Sequence, residues 1–275
     1  MKKIITLLLL LSIKMSFAQP INNIYQVDFT TAYSLYPQIP KGILEGVAFT
    51  QTHFKNIQNP TDACIGLPSV TGVMGLTENG QGYFRENLRL ISDLSGYSIQ
   101  DVKTNPSINI LAYAKAYAFI VDSLNITTNI NEHDVVLKTL SEIPWDHNTA
   151  NNFALNTFVY QVLDFVKNSD NQQFYNFPNQ NVNLIEVFGE NNYTVLSSST
   201  ITITPNTVTT VNTTYIPDYK SAEYAPALWV ATPSCNYSSR SGTAISAIAL
   251  HTIQGTYASA ISWAQNCSSN VSYHY

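Results

Sequence analysis

Asn105-Pro-Ser-Ile-Asn-Ile-Leu-Ala-Tyr-Ala-Lys-Ala-Tyr-Ala-Phe-Ile-Val121 is the stretch on which the fold turns. Asparagine followed by proline is a helix start: the amide side chain caps the first turn, and proline lacks only an N–H that would have no partner there. Behind it, Ile108 to Val121 keeps apolar residues at helical spacing with a single lysine, which predicts a long and largely buried helix. Gly42-Ile-Leu-Glu-Gly-Val-Ala-Phe49 reads the same way, and the helical pattern extends from Pro40 to Val166.

The pattern changes near Asn168. Ser169-Asp-Asn-Gln-Gln173 and Asn176-Phe-Pro-Asn-Gln-Asn181 are polar and read as linker. Thr194-Val-Leu-Ser-Ser-Ser-Thr-Ile-Thr-Ile-Thr204 then alternates in strand fashion, and Thr207-Val-Thr-Thr-Val-Asn-Thr-Thr214 continues it. Near the C-terminus a further apolar strand, Ala244-Ile-Ser-Ala-Ile-Ala-Leu250, ends in His251-Thr-Ile-Gln-Gly255. A histidine at the end of a rigid strand is a place where metal ligands sit, and the competing reading is a core histidine with its hydrogen bonds satisfied.

The N-terminus reads as an export signal. Lys2 and Lys3 precede the apolar run Ile4 to Ile13, and Ser16-Phe-Ala18 supplies small residues for cleavage after Ala18. No later apolar segment has spanning length, so the expectation is a secreted or periplasmic protein with no membrane association after signal removal. With 13 Lys and Arg against 18 Asp and Glu, the chain is acidic and weakly charged, which excludes a nucleic-acid binder by composition. Its apolar share of 45% excludes disorder. Of the cysteines Cys64, Cys235 and Cys267, the preferred pair is Cys235 with Cys267, which flank the same C-terminal segment and leave Cys64 over.

Three elements of the helical half together resemble the lysozyme-like fold of lytic transglycosylases. They are Val47-Ala-Phe-Thr-Gln51-Thr52-His-Phe54, Gly72-Val-Met-Gly-Leu76, and Asn105-Pro-Ser-Ile-Asn109-Ile110 with Tyr117. They occur in the family's order and cover roughly residues 40 to 125. The family's essential group is a carboxylic acid that protonates the glycosidic oxygen. Gln51 falls at that position, and an amide does not serve as a proton donor. Glu45 lies about 120° round the helix from Gln51 and is expected to point elsewhere. Glu78, just past the glycine loop, is the other candidate to reach the cleft, against a solvated loop carboxylate.

The C-terminal segment resembles the zinc amidase family that includes peptidoglycan recognition proteins and bacterial N-acetylmuramoyl-L-alanine amidases. The resemblance runs from about Ala222 through Tyr224-Ala-Pro-Ala-Leu-Trp229, Ser234-Cys-Asn-Tyr-Ser-Ser-Arg240, His251-Thr252, Ala258-Ser-Ala-Ile-Ser-Trp263 and Val271-Ser-Tyr-His-Tyr275. It implies that His251 is the first zinc ligand; His274 is not assigned as one. The family's later ligands have no counterpart in the match, so the expectation is a truncated amidase domain.

The resulting architecture is α+β: a signal peptide at 1–18, a mainly helical lysozyme-like domain at 19–170, a polar and strand-like linker at 171–221, and the incomplete start of an α/β zinc amidase domain at 222–275. The implied partner is peptidoglycan. The implied reaction in the full-length family is zinc-assisted hydrolysis of the amide between the muramoyl lactyl group and L-alanine. The chain as it stands is expected to be inactive. The alternative is a non-catalytic peptidoglycan-binding protein that uses a degenerate lysozyme-like domain. Glu132-His133-Asp134 and Asp146-His147 place imidazoles beside carboxylates, but their spacing fits no ligand pattern and reads as helix-end or surface polarity. Asn125, Asn192 and Asn212 head Asn-x-Thr patterns that matter only in a glycosylating host.

Overall fold

A computed structural model of the protein describes residues 24–58, 60, 67–146, 148–198, 200–203, 207–210, 229–230, 233–236 and 256–271. These residues form a mostly helical body with a small sheet. The export segment at 1–18, the strand 244–250, His251, His274, His147, Cys64 and Asn212 lie outside the described residues.

Ten α-helices occur among the described residues: α1 Gln26–Leu35, α2 Ile43–Thr52, α3 Asn87–Ser95, α4 Ile99–Thr104, α5 Pro106–Leu124, α6 Asp134–Leu140, α7 Thr149–Lys167, α8 Ser169–Tyr175, α9 Leu184–Leu196 and α10 Tyr257–Gln265. α5 begins as the sequence predicts: Asn105 accepts from the backbone N–H groups of Ser107 and Ile108, and Pro106 fills the first turn. Its Ala112, Tyr113, Ala116, Tyr117 and Ile120 are buried against α1, α3 and α4. α7 is the second axis and carries α2, α8, α9 and α10 on its flanks. One continuous apolar core runs through both long helices.

The stretch read as polar linker contains two helices. Asn168 caps α8 through Asp170 and Asn171, which turns the chain back along α7. Phe177 is buried beside Phe165, with ring centroids 6.1 Å apart. Asn183 then caps α9, whose Leu184 and Phe188 enter the core before a kink at Gly189. Polarity here belongs to caps and a solvent face, and a few large apolar residues anchor the segment.

β1 (Val70–Thr71) and β2 (Leu76–Thr77) form an antiparallel hairpin around the glycine loop. A second sheet has the order β4-β3-β5, with β3 (Thr200–Ile203) antiparallel to β4 (Val208–Thr210) and parallel to β5 (Trp229–Val230). β3 and β4 fall within the stretches read as strand-like. Cys235 and Cys267 are joined, with Cα atoms 5.4 Å apart, which is the pairing preferred from sequence. Between these cysteines α10 docks on α7, burying Ala258, Ala260, Ile261 and Ala264.

Candidate functional site

Residues of the three elements that carry the first resemblance meet in space. Gln51 and Thr52 end α2, and the Thr52 hydroxyl donates to the Val73 carbonyl at 2.6 Å. Met74 N–H donates to Asn109 Oδ1 at 2.8 Å, while Asn109 Nδ2 donates to the Val102 carbonyl at 3.0 Å. Both loop glycines are dictated by this approach. Gly72 has φ +75° and a Cβ there would lie 2.1 Å from Asn109 Nδ2; Gly75 has φ +62° and its Cβ would lie 2.7 Å from Gln51 Cβ. Tyr117, the last member of the third element, points away from the loop and stacks on His133.

Gln51 is 8% exposed and faces a second carboxylate that the sequence did not single out. Its Nε2 donates to Glu142 Oε2 at 3.2 Å. The Ser141 hydroxyl reaches the same oxygen at 3.4 Å. Glu142 Oε1 accepts from Thr256 at 2.8 Å and from Ser259 at 2.5 Å, both delivered by the start of α10. Glu142 is 1% exposed. Burying a carboxylate is costly unless donors replace its water, and donors from three parts of the chain do so here.

The loop holding Glu142 is fixed by Arg85 and Asn87. Arg85 donates its guanidinium to the Thr139 carbonyl at 2.8 Å and its backbone N–H to the Glu142 carbonyl at 2.7 Å. Asn87 bridges the hairpin to this loop, accepting from Thr77 N–H at 2.7 Å and donating to the Leu140 carbonyl at 2.9 Å. Burial, and then the nearby Glu142 charge, pushes the Tyr113 phenol well above its usual range. Burial lowers the Arg85 guanidinium, opposed by Glu142. Gln51 Oε1 is buried and has no hydrogen-bond partner among the described residues, an arrangement worth about 1–3 kcal/mol of lost hydration.

A second polar cluster continues the site along α10. Ser262 donates to Asn151 Oδ1 at 2.6 Å, Tyr83 reaches the same oxygen at 2.8 Å, and Asn151 Nδ2 donates to Asp146 at 3.0 Å. Tyr83, Phe84 and Trp263 form an aromatic group beside it, with the Tyr83 and Trp263 centroids 5.3 Å apart.

The other sequence candidates sit elsewhere. Glu45 is buried on the opposite side of α2, where it accepts from the Tyr33 hydroxyl at 2.5 Å. Glu78 is ion-paired with Lys103 on the rim of an open cavity of about 570 Å³ lined by polar residues including Gln58, Thr71 and Gln100. His133 is buried between the Tyr117 hydroxyl, 2.9 Å from Nδ1, and the Thr127 carbonyl, 2.9 Å from Nε2. The carbonyl only accepts, so Nε2 carries the proton and Tyr117 donates to Nδ1. Burial lowers the pKa of this imidazole, which stays neutral and structural. Among the described residues, no three His, Cys, Asp or Glu side chains gather as a metal site would require.

Glu142 was the residue missed in sequence. Its signal is a lone carboxylate inside the apolar run Leu140-Ser-Glu-Ile-Pro-Trp145, but three of its four side-chain donors lie 91 to 117 positions away.

Over 55 residues the chain is 44% identical to N-acetylmuramoyl-L-alanine amidase A of Achromobacter lyticus, a match covering 20% of this chain and 30% of that protein. The chain therefore spans less than a third of the curated relative it matches. No protein-family model matches the chain, and no solved structure does. No helix among the described residues is long and apolar enough to cross a membrane.

Proposed function

We propose that this chain is a secreted or periplasmic, peptidoglycan-directed protein of the N-acetylmuramoyl-L-alanine amidase type. The observation that carries the reading is the 44% identity over 55 residues to an amidase of that name. We assign that similarity to the segment 222–275, where the amidase-like motifs lie. In this reading the substrate bond is the amide between the lactyl group of a muramoyl residue and L-alanine. A bound zinc would polarise that carbonyl and lower the pKa of its water.

His251 is the proposed first ligand. The described residues assemble no donor set for a zinc ion, and one matched ligand does not hold a catalytic metal, which takes three protein side chains. The expectation for the chain as given is wall association without release of stem peptides.

A second reading, glycan binding by the helical body at 19–170, is favoured by one observation. An amide, Gln51, stands where the resemblance puts the family's acid, and hydrogen bonds tie the loop and the helices around it together. Such a body binds saccharide without cutting it.

Both readings meet the same test. The purified chain, incubated with purified sacculi and with added zinc, is expected in the pellet, with no free stem peptides in the supernatant. Absence from the pellet sinks the peptidoglycan reading. Release of stem peptides leaves it standing and overturns the expectation of inactivity.

A further inference from the structure

The interface between α10 and the helical body is built unlike the rest of the core. Thr256, Ser259 and Ser262 recur every third residue, so their hydroxyls form a row on one face of the helix. The first two donate to Glu142 and the third to Asn151. All five residues are at most 3% exposed. The body supplies the complementary groups: a carboxylate, the amides of Gln51 and Asn151, and the Tyr83 phenol. Beside them Phe84, Leu67 and the Tyr83 ring form an apolar floor on which Ala260 and Trp263 rest. One group in this row is left unanswered. Gln51 Oε1 is buried at the site, and among the described residues no donor reaches it.

We propose that Gln51, Glu142, Asn151 and Tyr83 form a binding site for a hydroxyl-rich ligand, a saccharide, and that α10 occupies this site with its own hydroxyls when no ligand is bound. Carboxylate and amide groups that each accept from or donate to hydroxyls, next to an aromatic face, are the chemistry a sugar ring uses. α10 presents two of these features itself, alternating hydroxyls with small apolar side chains and carrying Trp263 in its last turn. An arriving saccharide has an additional N–H or hydroxyl to offer Gln51 Oε1, which α10 lacks. A built-in occupant lowers the apparent affinity by the fraction of molecules in which the site is free. The proposal rests on the glycan-directed reading above and adds where the glycan binds and what restrains it.

The two halves of one hydrogen bond give opposite signs. Ser259→Ala weakens the occupant and is expected to tighten binding of a soluble β-1,4-linked N-acetylglucosamine tetramer about tenfold. Glu142→Ala also loosens α10 but removes the site, and is expected to weaken binding at least as much. Titration calorimetry on the full chain reads both, with thermal unfolding confirming that each variant is folded. Thr256→Val and Asn151→Ala form an independent pair with the same expected signs. If the α10 and body variants of both pairs shift affinity in the same direction, or shift nothing while sacculi are still retained, the site proposal falls and the wall-directed reading stands. If the unsubstituted chain and the α10 variants bind neither tetramer nor sacculi, the wall-directed reading itself has failed.

Discussion

Glu45 is the residue whose chemistry departs furthest from that of an exposed carboxylate. Burial pushes it up from 4.5 to about 7, against the lowering effect of the Tyr33 phenol and of nearby backbone N–H groups. Tyr33 holds it from the other side, accepting from Gly42 and Leu44 N–H at 2.9 and 3.0 Å while donating to Glu45. Because the folded value lies above the unfolded one, folding favours the protonated acid. Stability from this group is full below pH 4.5 and is lost as pH rises through about 7. The span is about 3 kcal/mol. Glu45→Gln is expected to flatten this fall and to raise the unfolding midpoint at pH 8 relative to pH 4, as urea titrations at the two pH values would report. Part of this scale was legible: helical geometry turned Glu45 away from Gln51, and Glu45 hydrogen-bonds Tyr33 instead. Glu142 was not legible, since a lone carboxylate in an apolar run does not reveal that its four donors come from α2, its own loop and the distant α10.

Among the elements, the helix starts carry the clearest sequence signals. Asn105, Asn148, Asn168, Asn183 and Thr256 each accept from backbone N–H groups two or three residues into the following helix. Asn105 was recognised because proline follows it; Asn168 was read as the end of structure because polar residues follow it. The difference is physical. α8 has no buried residue of its own, so its seven residues show no apolar period, and it is held by the cap, by Gln172 on the Val166 carbonyl and by the chain's continuation into Phe177. Asn168→Ala is expected to cost about 1 kcal/mol and to raise amide exchange in α8 selectively. Equal loss of protection along α7 would contradict it. Both glycines of the hairpin sit where a Cβ would strike a named side chain.

Across the whole molecule, long-range closure is supplied by a covalent link and a polar interface together. The disulfide ties Cys235 to Cys267 across 32 positions. Asn236 reinforces it, donating to the carbonyls of Ala264 and Asn266 at 2.9 Å. Removing the link with Cys267→Ser is expected to cost about 2–4 kcal/mol by restoring chain entropy to the unfolded state. Loss of α10 protection before the helical body melts is the expected order in hydrogen exchange, and simultaneous melting would count against it. The cysteine pairing was open to sequence reasoning because both cysteines bracket one segment. The docking of that segment was not, since a helix of alanines and serines gives no sign of which surface it faces.

Gln51 and Glu142 also set an evolutionary distance. Glutamine and glutamate codons differ by one base, and the amide nitrogen of Gln51 already stands 3.2 Å from Glu142 Oε2. Gln51→Glu would put two carboxylates within one proton's reach, and such pairs titrate jointly, with one member held protonated into the neutral range. The site therefore stands a single mutation away from a carboxylate pair, with Glu142 as the ready partner of the new group.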